Sequence, residues 1–434
     1  MDSEFKRAMA PSLSLLVLAS LTPSQHSVHI EDENVNKVCR DDKPDLVGIT
    51  VNVDTSKRAY DICSHYRKKN IPVILGGIHA SARPDEAAAH ADSVCIGEAE
   101  ELWGQILSDA AHRRLNKMYR NKTPVDISKT PLPKRELLNQ SDYLYTNIIC
   151  TSRGCPFKCE FCYNSCDYIH NMFRNRPIES VLEEINRLGT RQIMFIDDNF
   201  IGNITWTKEF IKAIKPLGLR WHAAVSTNMG LHLDLLDEMK DSGCKSLFIG
   251  FESINRDSIQ SVNKYQNHIE HYEKLIAELH SRGIMVNASM VFGFDHDYAN
   301  VFDDTLSWLV ASKIETLTAH ILTPYPGTAI YKRFESEGRI IDFDWNHYNT
   351  SNVVYQPKNM STDELYHGYI RLYKEFYSFK NILKRMPTDH GQRVPYFLFN
   401  FGYRKYGKIT SWIARRGFMN SFGKLARRIA YGID

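Results

Sequence analysis

The sequence predicts an α/β protein made of two parallel-stranded units and a helical extension. Three observations predict it. Short apolar runs alternate with amphipathic stretches from Val28 to about His112, and again from Tyr145 to Ile341. A polar stretch bearing Pro124, Pro131 and Pro133 separates the two regions. After Ile341 the alternation stops and the pattern becomes helical. A chain of 434 residues exceeds one hydrophobic core and suits two domains plus an extension. The expected boundaries are 1–112, 113–143 for the linker, 144–341 and 342–434.

The first apolar run, Leu13 to Leu21, follows Lys6 and Arg7 and has the outline of a signal peptide. Asp2 and Glu4 spoil a cationic start, so a core helix opened by Pro11 and closed before Pro23 is expected instead. Ser27–Ile30, Leu46–Val51, Val73–Leu75 and Ser93–Ile96 read as buried parallel strands. Helices are expected at Ser56–Lys69, Pro84–Ala91 and Glu98–Asp109. The pattern is a Rossmann-like, doubly wound unit, but the strand that usually precedes its opening helix is missing. Gly76, Gly77 and Gly97 sit just after strands, at the carboxyl edge where such sheets bind ligands. Each also suits a tight strand-to-helix turn.

The second alternation has candidate strands Thr146–Thr151, Gln192–Ile196, Arg220–Val225, Ser246–Gly250, Val286–Phe292 and Leu317–Leu322. Between them lie helical patterns at Pro177–Leu188, Trp206–Ile214, Leu231–Ser242, His268–Arg282 and Val301–Ser312. Repeats of this length predict a partial (β/α)6 barrel of the TIM type, whose catalytic groups gather at the carboxyl ends of the strands. In the extension, Asp342 to Pro357 is aromatic and irregular, and Ser361 to about Met386 reads as a helix capped by Ser361 or Thr362. From Asp389 the chain is rich in Lys, Arg and aromatic residues. Lys405, Lys408, Arg415, Arg416, Lys424, Arg427 and Arg428 interleave with Trp412, Phe418 and Phe422. Such a segment is either a solvated helix packed by its aromatic face or an amphipathic element that touches anionic lipid or acidic substrate.

Bulk composition excludes little else. Hydrophobic content of 43% and charged content of 24% are ordinary for a globular protein. A net charge of +3 is too small to imply a nucleic acid partner. No apolar run approaches the roughly 20 residues of a membrane span.

The chemistry concentrates in Cys155-Pro156-Phe157-Lys158-Cys159-Glu160-Phe161-Cys162. Three cysteines spaced Cys-x3-Cys-x2-Cys can hold three corners of a [4Fe–4S] cube, which leaves the fourth iron open. A zinc site is a poorer reading, because structural zinc usually draws on two separated clusters. A four-thiolate electron-transfer cluster, closed by Cys166, is the serious rival. Cluster ligands must be thiolates, so the nine cysteines suit a reducing, cytoplasmic setting.

This loop, with an aromatic residue before its last cysteine, resembles that of the radical SAM enzymes. The resemblance implies that Cys155, Cys159 and Cys162 bind the cube and that S-adenosylmethionine chelates the open iron. Electron transfer then yields a 5′-deoxyadenosyl radical. It further implies that Asp197, Asp198 and Asn199 face the methionine amino group. Glu252 and Ser253 would serve the ribose or amine, and the backbone around Val291, Phe292 and Gly293 would meet adenine. Pro324 belongs to a rigid turn near the same mouth. His222, Tyr325 and His347 lie near enough to that mouth to move a proton, although packed roles are commoner.

The runs GITVNVDT, VILGGIHAS and DSVCIGEAEELW are similar to the cobalamin-binding-like domain that precedes many radical SAM barrels. LTPYPGT, Asp344-Trp345 and the Met360-Ser361 helix start match the version of that family with a helical extension of unassigned role. The resemblance implies cobalamin-dependent methylation of an unactivated carbon in a small molecule or lipid. An external donor such as flavodoxin or ferredoxin would supply electrons. The strand end at Asp54-Thr55-Ser56-Lys57 lacks the cobalt-binding His of the Asp-x-His-x-x-Gly loop. Cobalamin-independent rearrangement, cyclisation or oxidation is therefore the alternative, with non-catalytic electron transfer as the alternative from another class.

Overall fold

The computed structural model describes residues 9–36, 38, 39, 41–169 and 173–402. The basic residues from Lys405 onward, and Lys6 and Arg7, lie outside the described residues.

The opening helix α1 (Leu13–Leu21) is a core element, as expected. Leu16, Val17 and Ala19 are buried, and the Ser20 hydroxyl donates to the Leu132 carbonyl at 2.7 Å. A parallel sheet follows, in the order β1 (Val47–Thr50), β2 (Val73–Gly76), β3 (Ser93–Ile96) and β4 (Met118–Arg120). Strand alternation splits its core between two faces. Val73, Leu75, Val94 and Ile96 pack with α2 (Ser56–Lys68), α3 (Ile78–Ala82) and α4 (Pro84–His90). Ile74 and Cys95 pack with α5 (Trp103–Ala111) on the other.

Two expectations fail here. Ser27–Ile30 is irregular chain, not a strand. In a doubly wound sheet the first strand lies between the second and third, and among the described residues no strand precedes β1. Ser27–Ile30 does not join the free edge of β1. The fourth place in the sheet is taken by β4, which lies inside the expected linker. Its single buried side chain, Tyr119, leaves no periodic signal, and its hydroxyl donates to Asp109 Oδ2 at 2.8 Å. The helix expected from Glu98 starts only at Trp103, because Glu98 and Glu100 are drawn into ion pairs described below.

The second sheet has six parallel strands in the order β12-β11-β10-β9-β8-β5. Its first strand, β5 (Ile148–Ile149), is much shorter than expected, because the chain leaves it for a small antiparallel ribbon of β6 (Ser152–Arg153) and β7 (Arg174–Asn175). The others are β8 (Gln192–Phe195), β9 (Arg220–Ser226), β10 (Cys244–Glu252), β11 (Met285–Phe292) and β12 (Thr316–Ile321). Helices α6 (Ile178–Leu188), α7 (Ile204–Ile214), α8 (Leu233–Asp241), α9 (Arg256–Gln260), α10 (Tyr272–Ser281), α11 (Val301–Ala311) and α12 (Ala329–Ser336) follow strands in turn. Trp221, Leu247, Val286 and Leu317 point from the strands into the common core. The barrel is partial, and it is open between β5 and β12.

The expected helix from Ser361 to Met386 is two helices, α13 (Thr362–Phe376) and α14 (Phe379–Lys384), followed by α15 (His390–Gly402). Ser361 caps α13 in a reciprocal capping box with Glu364. This extension covers the free edge of β12. Tyr373 Oη accepts from Ala319 N at 2.7 Å and donates to Ala319 O at 3.0 Å. Tyr377 Oη does the same at Leu317, at 3.2 and 3.1 Å. Residues i and i+4 on a helix rise about 6 Å, nearly matching i and i+2 on a strand, so the two hydroxyls act as a surrogate neighbouring strand.

Candidate active site

The carboxyl ends of β5, β8, β9, β10, β11 and β12 open on one mouth, and the cysteine loop leaves the ribbon at Arg153 directly beside it. Backbone bonds shape the loop: Cys162 N donates to Cys159 O, Glu160 N to Val262 O and Ile330 N to Glu160 O. Phe161, the aromatic residue of the motif, stands edge-on to Phe294 with ring centroids 5.9 Å apart. Burial pushes the Cys155 thiol up to about 11 and the Cys162 thiol up to about 12, and the charge of neighbouring Cys159 adds to both. Three thiols thus converge in a low-dielectric pocket and feel one another. Cys155 and Cys162 ionise readily only when a cation neutralises them.

Cys166 is elsewhere. It is buried with Tyr168 in the core of the N-terminal sheet. A Cβ added at Gly327 would lie 3.3 Å from both Cys166 Sγ and Tyr168 Cε1. The charges that act on its thiol come from Asp167 and Lys332, not from the other three cysteines. The loop therefore offers three ligands. Among the described residues no group of three His, Cys, Asp or Glu side chains encloses a single metal ion. Three converging thiols beside the strand ends fit a three-ligand [4Fe–4S] cube.

The polar residues expected around the mouth divide into two groups. Asp198 and Glu252 present charge. Asp198 reaches open space after β8, accepts a hydrogen bond from Tyr163, and has its carboxyl raised by burial among the surrounding walls. Glu252 is buried at the end of β10, where Lys264 Nζ donates to Oε1 at 2.7 Å and Ser289 Oγ to Oε2 at 3.3 Å. The others are engaged within the fold. Asp197 Oδ1 accepts from Thr151 N, Thr151 Oγ1 and Ser152 Oγ at 2.9, 3.0 and 2.5 Å, pinning the end of β5. Asn199 is tied to Ser226 through both side-chain atoms. Ser253 Oγ accepts from Asn255 N in the turn before α9.

The turn after β11 differs from expectation. Gly293 N and Phe294 N donate to Asp297 Oδ2, and Gly293 O accepts from Tyr355 Oη at 2.5 Å. A Cβ at Gly293 would meet Tyr355 Oη at 2.2 Å, so its missing side chain makes room for the extension. Val291 and Phe292 are buried, the latter stacked on Phe302, and Pro324 is buried in the turn after β12.

At the facing edge, Gly77 (φ 93°) is required by packing. A Cβ there would lie 2.7 Å from Val51 N. Gly76 continues the ladder through Val51 N. Gly97 receives Ser81 Oγ on its N–H and lies against the Tyr168 carbonyl, within the segment that follows the cysteine loop. Next to it, Glu98 accepts from Arg153 Nη1 at 3.1 Å and from Arg174 Nη1 and Nη2 at 2.8 and 2.9 Å, while Glu100 takes Arg153 Nη2. These pairs hold both strands of the ribbon against the carboxyl edge of the N-terminal sheet. Asp54, at the end of β1, faces Tyr325 from the turn after β12, and burial raises the carboxyl of the first and the phenol of the second. His222 Nδ1 bonds Ser246 Oγ inside the barrel, and His347 pairs with Asp342 outside it.

Lys264, Gln266, Arg153 and Glu98 were not singled out in the sequence. Their polar runs, Asn263-Lys264-Tyr265-Gln266-Asn267 and Glu98-Ala99-Glu100-Glu101, look like solvated surface. A possible signal was the charge complementarity between the acidic run and Arg153, two residues before the first cysteine.

The Radical SAM superfamily model matches residues 149–309, the B12 binding domain 11–107, and a domain of unknown function (DUF4070) 328–393. A bacteriochlorophyllide d C-12(1)-methyltransferase of Chlorobaculum tepidum is 31% identical over 87% of this chain and 85% of its own. The chain belongs to the radical SAM superfamily. It falls in the branch with a B12 binding domain, and its cofactors are a [4Fe–4S] cluster, S-adenosylmethionine and cobalamin. A hopanoid C-2 methylase of Rhodopseudomonas palustris is 27% identical over 78% of this chain and 66% of its own. The fold is that of solved cobalamin-dependent radical enzymes. TsrM from Kitasatospora setae gives a TM-score of 0.60 at 15% identity over 90% of each chain. OxsB gives 0.65 at 15% identity over 96% of this chain and 69% of its own.

Proposed function

We propose that this radical SAM enzyme methylates an unactivated carbon of a polycyclic small molecule or lipid. The observation that carries the reading is the juxtaposition of three coupled thiols with the carboxyl edge of the N-terminal sheet, clamped together by Glu98, Arg153 and Arg174. When bound, the cluster supplies the electron that cleaves S-adenosylmethionine, and cobalamin carries the methyl group. Cys155, Cys159 and Cys162 hold the cube. Asp198 offers an anionic acceptor to the methionine ammonium, and Glu252 one to the ribose hydroxyls or amine. Gly97 and the neighbouring loop ends, at the carboxyl edge of the N-terminal sheet, would hold the corrin. Among the described residues, the nearest strand end, Asn52–Thr55, offers the cobalt no histidine.

The substrate class rests on relatives. Their names give bacteriochlorophyllide d and a hopanoid as the molecules they methylate. Inside the open barrel Met194 and Phe248 are only half-buried and Ile196 is exposed, which suits a broad apolar guest. A cytoplasmic setting, a flavodoxin- or ferredoxin-type donor and contact of the basic tail with anionic lipid belong to the same reading. No helix among the described residues is long and apolar enough to cross a membrane.

The deciding experiment is anaerobic reconstitution, then reaction with S-adenosylmethionine and dithionite, with and without methylcobalamin. Formation of 5′-deoxyadenosine, lost in Cys155→Ala, is expected, together with corrin retained through gel filtration. Retained radical chemistry without corrin retention would favour cobalamin-independent cyclisation or oxidation. A fully loaded cluster that yields no 5′-deoxyadenosine would overturn both readings.

A further inference from the structure

The segment Asn263–Asn267 carries three buried polar side chains, Lys264, Gln266 and Asn267, toward the cysteine loop and the end of β10. Asn267 Nδ2 donates to Gly250 O and Phe251 O at 2.9 Å each, and Thr227 Oγ1 donates to Asn267 Oδ1 at 2.9 Å. The segment is therefore fixed to the barrel rim. From it, Gln266 Nε2 donates to Cys159 Sγ at 3.5 Å, within range for a sulfur acceptor. Lys264 Nζ pairs with Glu252, lies 5.8 Å from the Phe161 ring centroid, and has its charged form favoured by Glu252, Cys159 and Cys162. Glu252 adopts φ 63°, left-handed for a non-glycine residue, at a register shift in β10. That backbone strain is retained where the carboxylate meets the lysine.

A lysine and a glutamine buried against a cysteine loop need a reason, since burying a cation is costly without compensation. Reduction of a [4Fe–4S] cube adds one negative charge. An amide N–H on a ligand sulfur and a cation within the same low-dielectric pocket both favour the reduced form more than the oxidised form. We propose that Gln266 and Lys264 set the reduction potential of the cluster, raising it into the range of the electron donor. Lys264 also ties that potential to the nucleoside site through Glu252. The inference rests on Cys155, Cys159 and Cys162 being the cluster ligands.

The test is a redox titration of the reconstituted holoenzyme followed by electron paramagnetic resonance, for wild type, Gln266→Leu and Lys264→Met. Both variants should load iron and sulfide as wild type does and show midpoints shifted to more negative values. Wild type should also move its midpoint when S-adenosylmethionine is added, and Lys264→Met should lose most of that movement. With excess dithionite, Gln266→Leu should recover its rate of 5′-deoxyadenosine formation; with a weaker donor it should not. Unchanged midpoints at full loading would overturn the proposal. Failure of Gln266→Leu to load a cluster would also overturn it, because a potential-setting amide is not needed for assembly. A wild-type chain that forms no reducible cluster would instead refute the functional reading beneath it.

Discussion

Two adjacent carboxylates after β8 have opposite duties. Asp197 is buried and holds three donors of Thr151 and Ser152, whereas Asp198 reaches the open mouth. Asp197→Ala leaves those donors unpaired and should cost about 3 kcal/mol of stability, measured by denaturant unfolding. Asp198→Ala should leave stability nearly unchanged and weaken S-adenosylmethionine binding roughly tenfold or more, measured by equilibrium dialysis of the reconstituted protein. Equal effects of the two variants on binding would refute this division. The sequence singled out the adjacent pair together, but not which carboxylate turns inward, because that depends on the end of β5. Asp297 adds a pH dependence. Burial raises its carboxyl from 3.8 to about 6 against the opposing bonds from Ser258, Gly293 and Phe294. The folded state therefore holds this proton more tightly than the unfolded state. The resulting stabilisation is fully present below about pH 4 and is lost as pH rises through about 6. Relative to Asp297→Asn, wild type should lose unfolding free energy over that window, and a flat difference would refute the assignment.

At the scale of elements, an open barrel has an edge to protect, and α13 supplies the protection with two hydroxyls. Tyr373→Phe keeps the ring but removes the partner of Ala319 N and Ala319 O, which are buried against the helix. It should cost about 1–3 kcal/mol in denaturant unfolding, and a cost near zero would mean that water replaces the hydroxyl. Nothing in the sequence pattern distinguishes Tyr373 and Tyr377 from ordinary core residues at i and i+4 of an amphipathic helix. The six strands were legible because each is apolar, short and followed by a helical period. Strand β4 was not, since Tyr119 alone is buried there. Ser27–Ile30 misled because a four-residue alternation does not report whether the chain joins a sheet.

For the whole molecule, the critical dimension is the spacing between the edge of the N-terminal sheet and the cysteine loop. Two sets of contacts fix it. On one side Glu86 accepts from Trp345 Nε1 at 3.0 Å, and Lys57 pairs with Asp344, so the extension holds the N-terminal sheet from outside. On the other, Glu98 joins Arg153 and Arg174, one from each strand of the ribbon that carries the loop. Glu98 sits one residue after Gly97 and Arg153 two before Cys155, so this pair links the two cofactor edges over a few bonds of chain. The arginines hold the Glu98 carboxyl below its ordinary value although burial opposes them, so the group is charged across the neutral range. Glu98→Ala leaves the part-buried Arg174 without its carboxylate, removes one of the two carboxylates on Arg153 and loosens the ribbon, while Cys155, Cys159, Cys162 and Asp198 keep their own supports. Cleavage of S-adenosylmethionine needs only the loop and the barrel mouth; methyl transfer needs the corrin at a fixed distance from that mouth. The variant should therefore form 5′-deoxyadenosine at a rate within a few-fold of wild type while the yield of methylated product per 5′-deoxyadenosine falls at least tenfold, a geometric penalty of the kind expected when reacting groups lose alignment. Mass spectrometry of both products in one reaction gives that ratio directly. An unchanged ratio would show that the spacing is set by the Glu86–Trp345 side alone, and the double variant Glu98→Ala with Trp345→Phe would then be the one to uncouple the two steps.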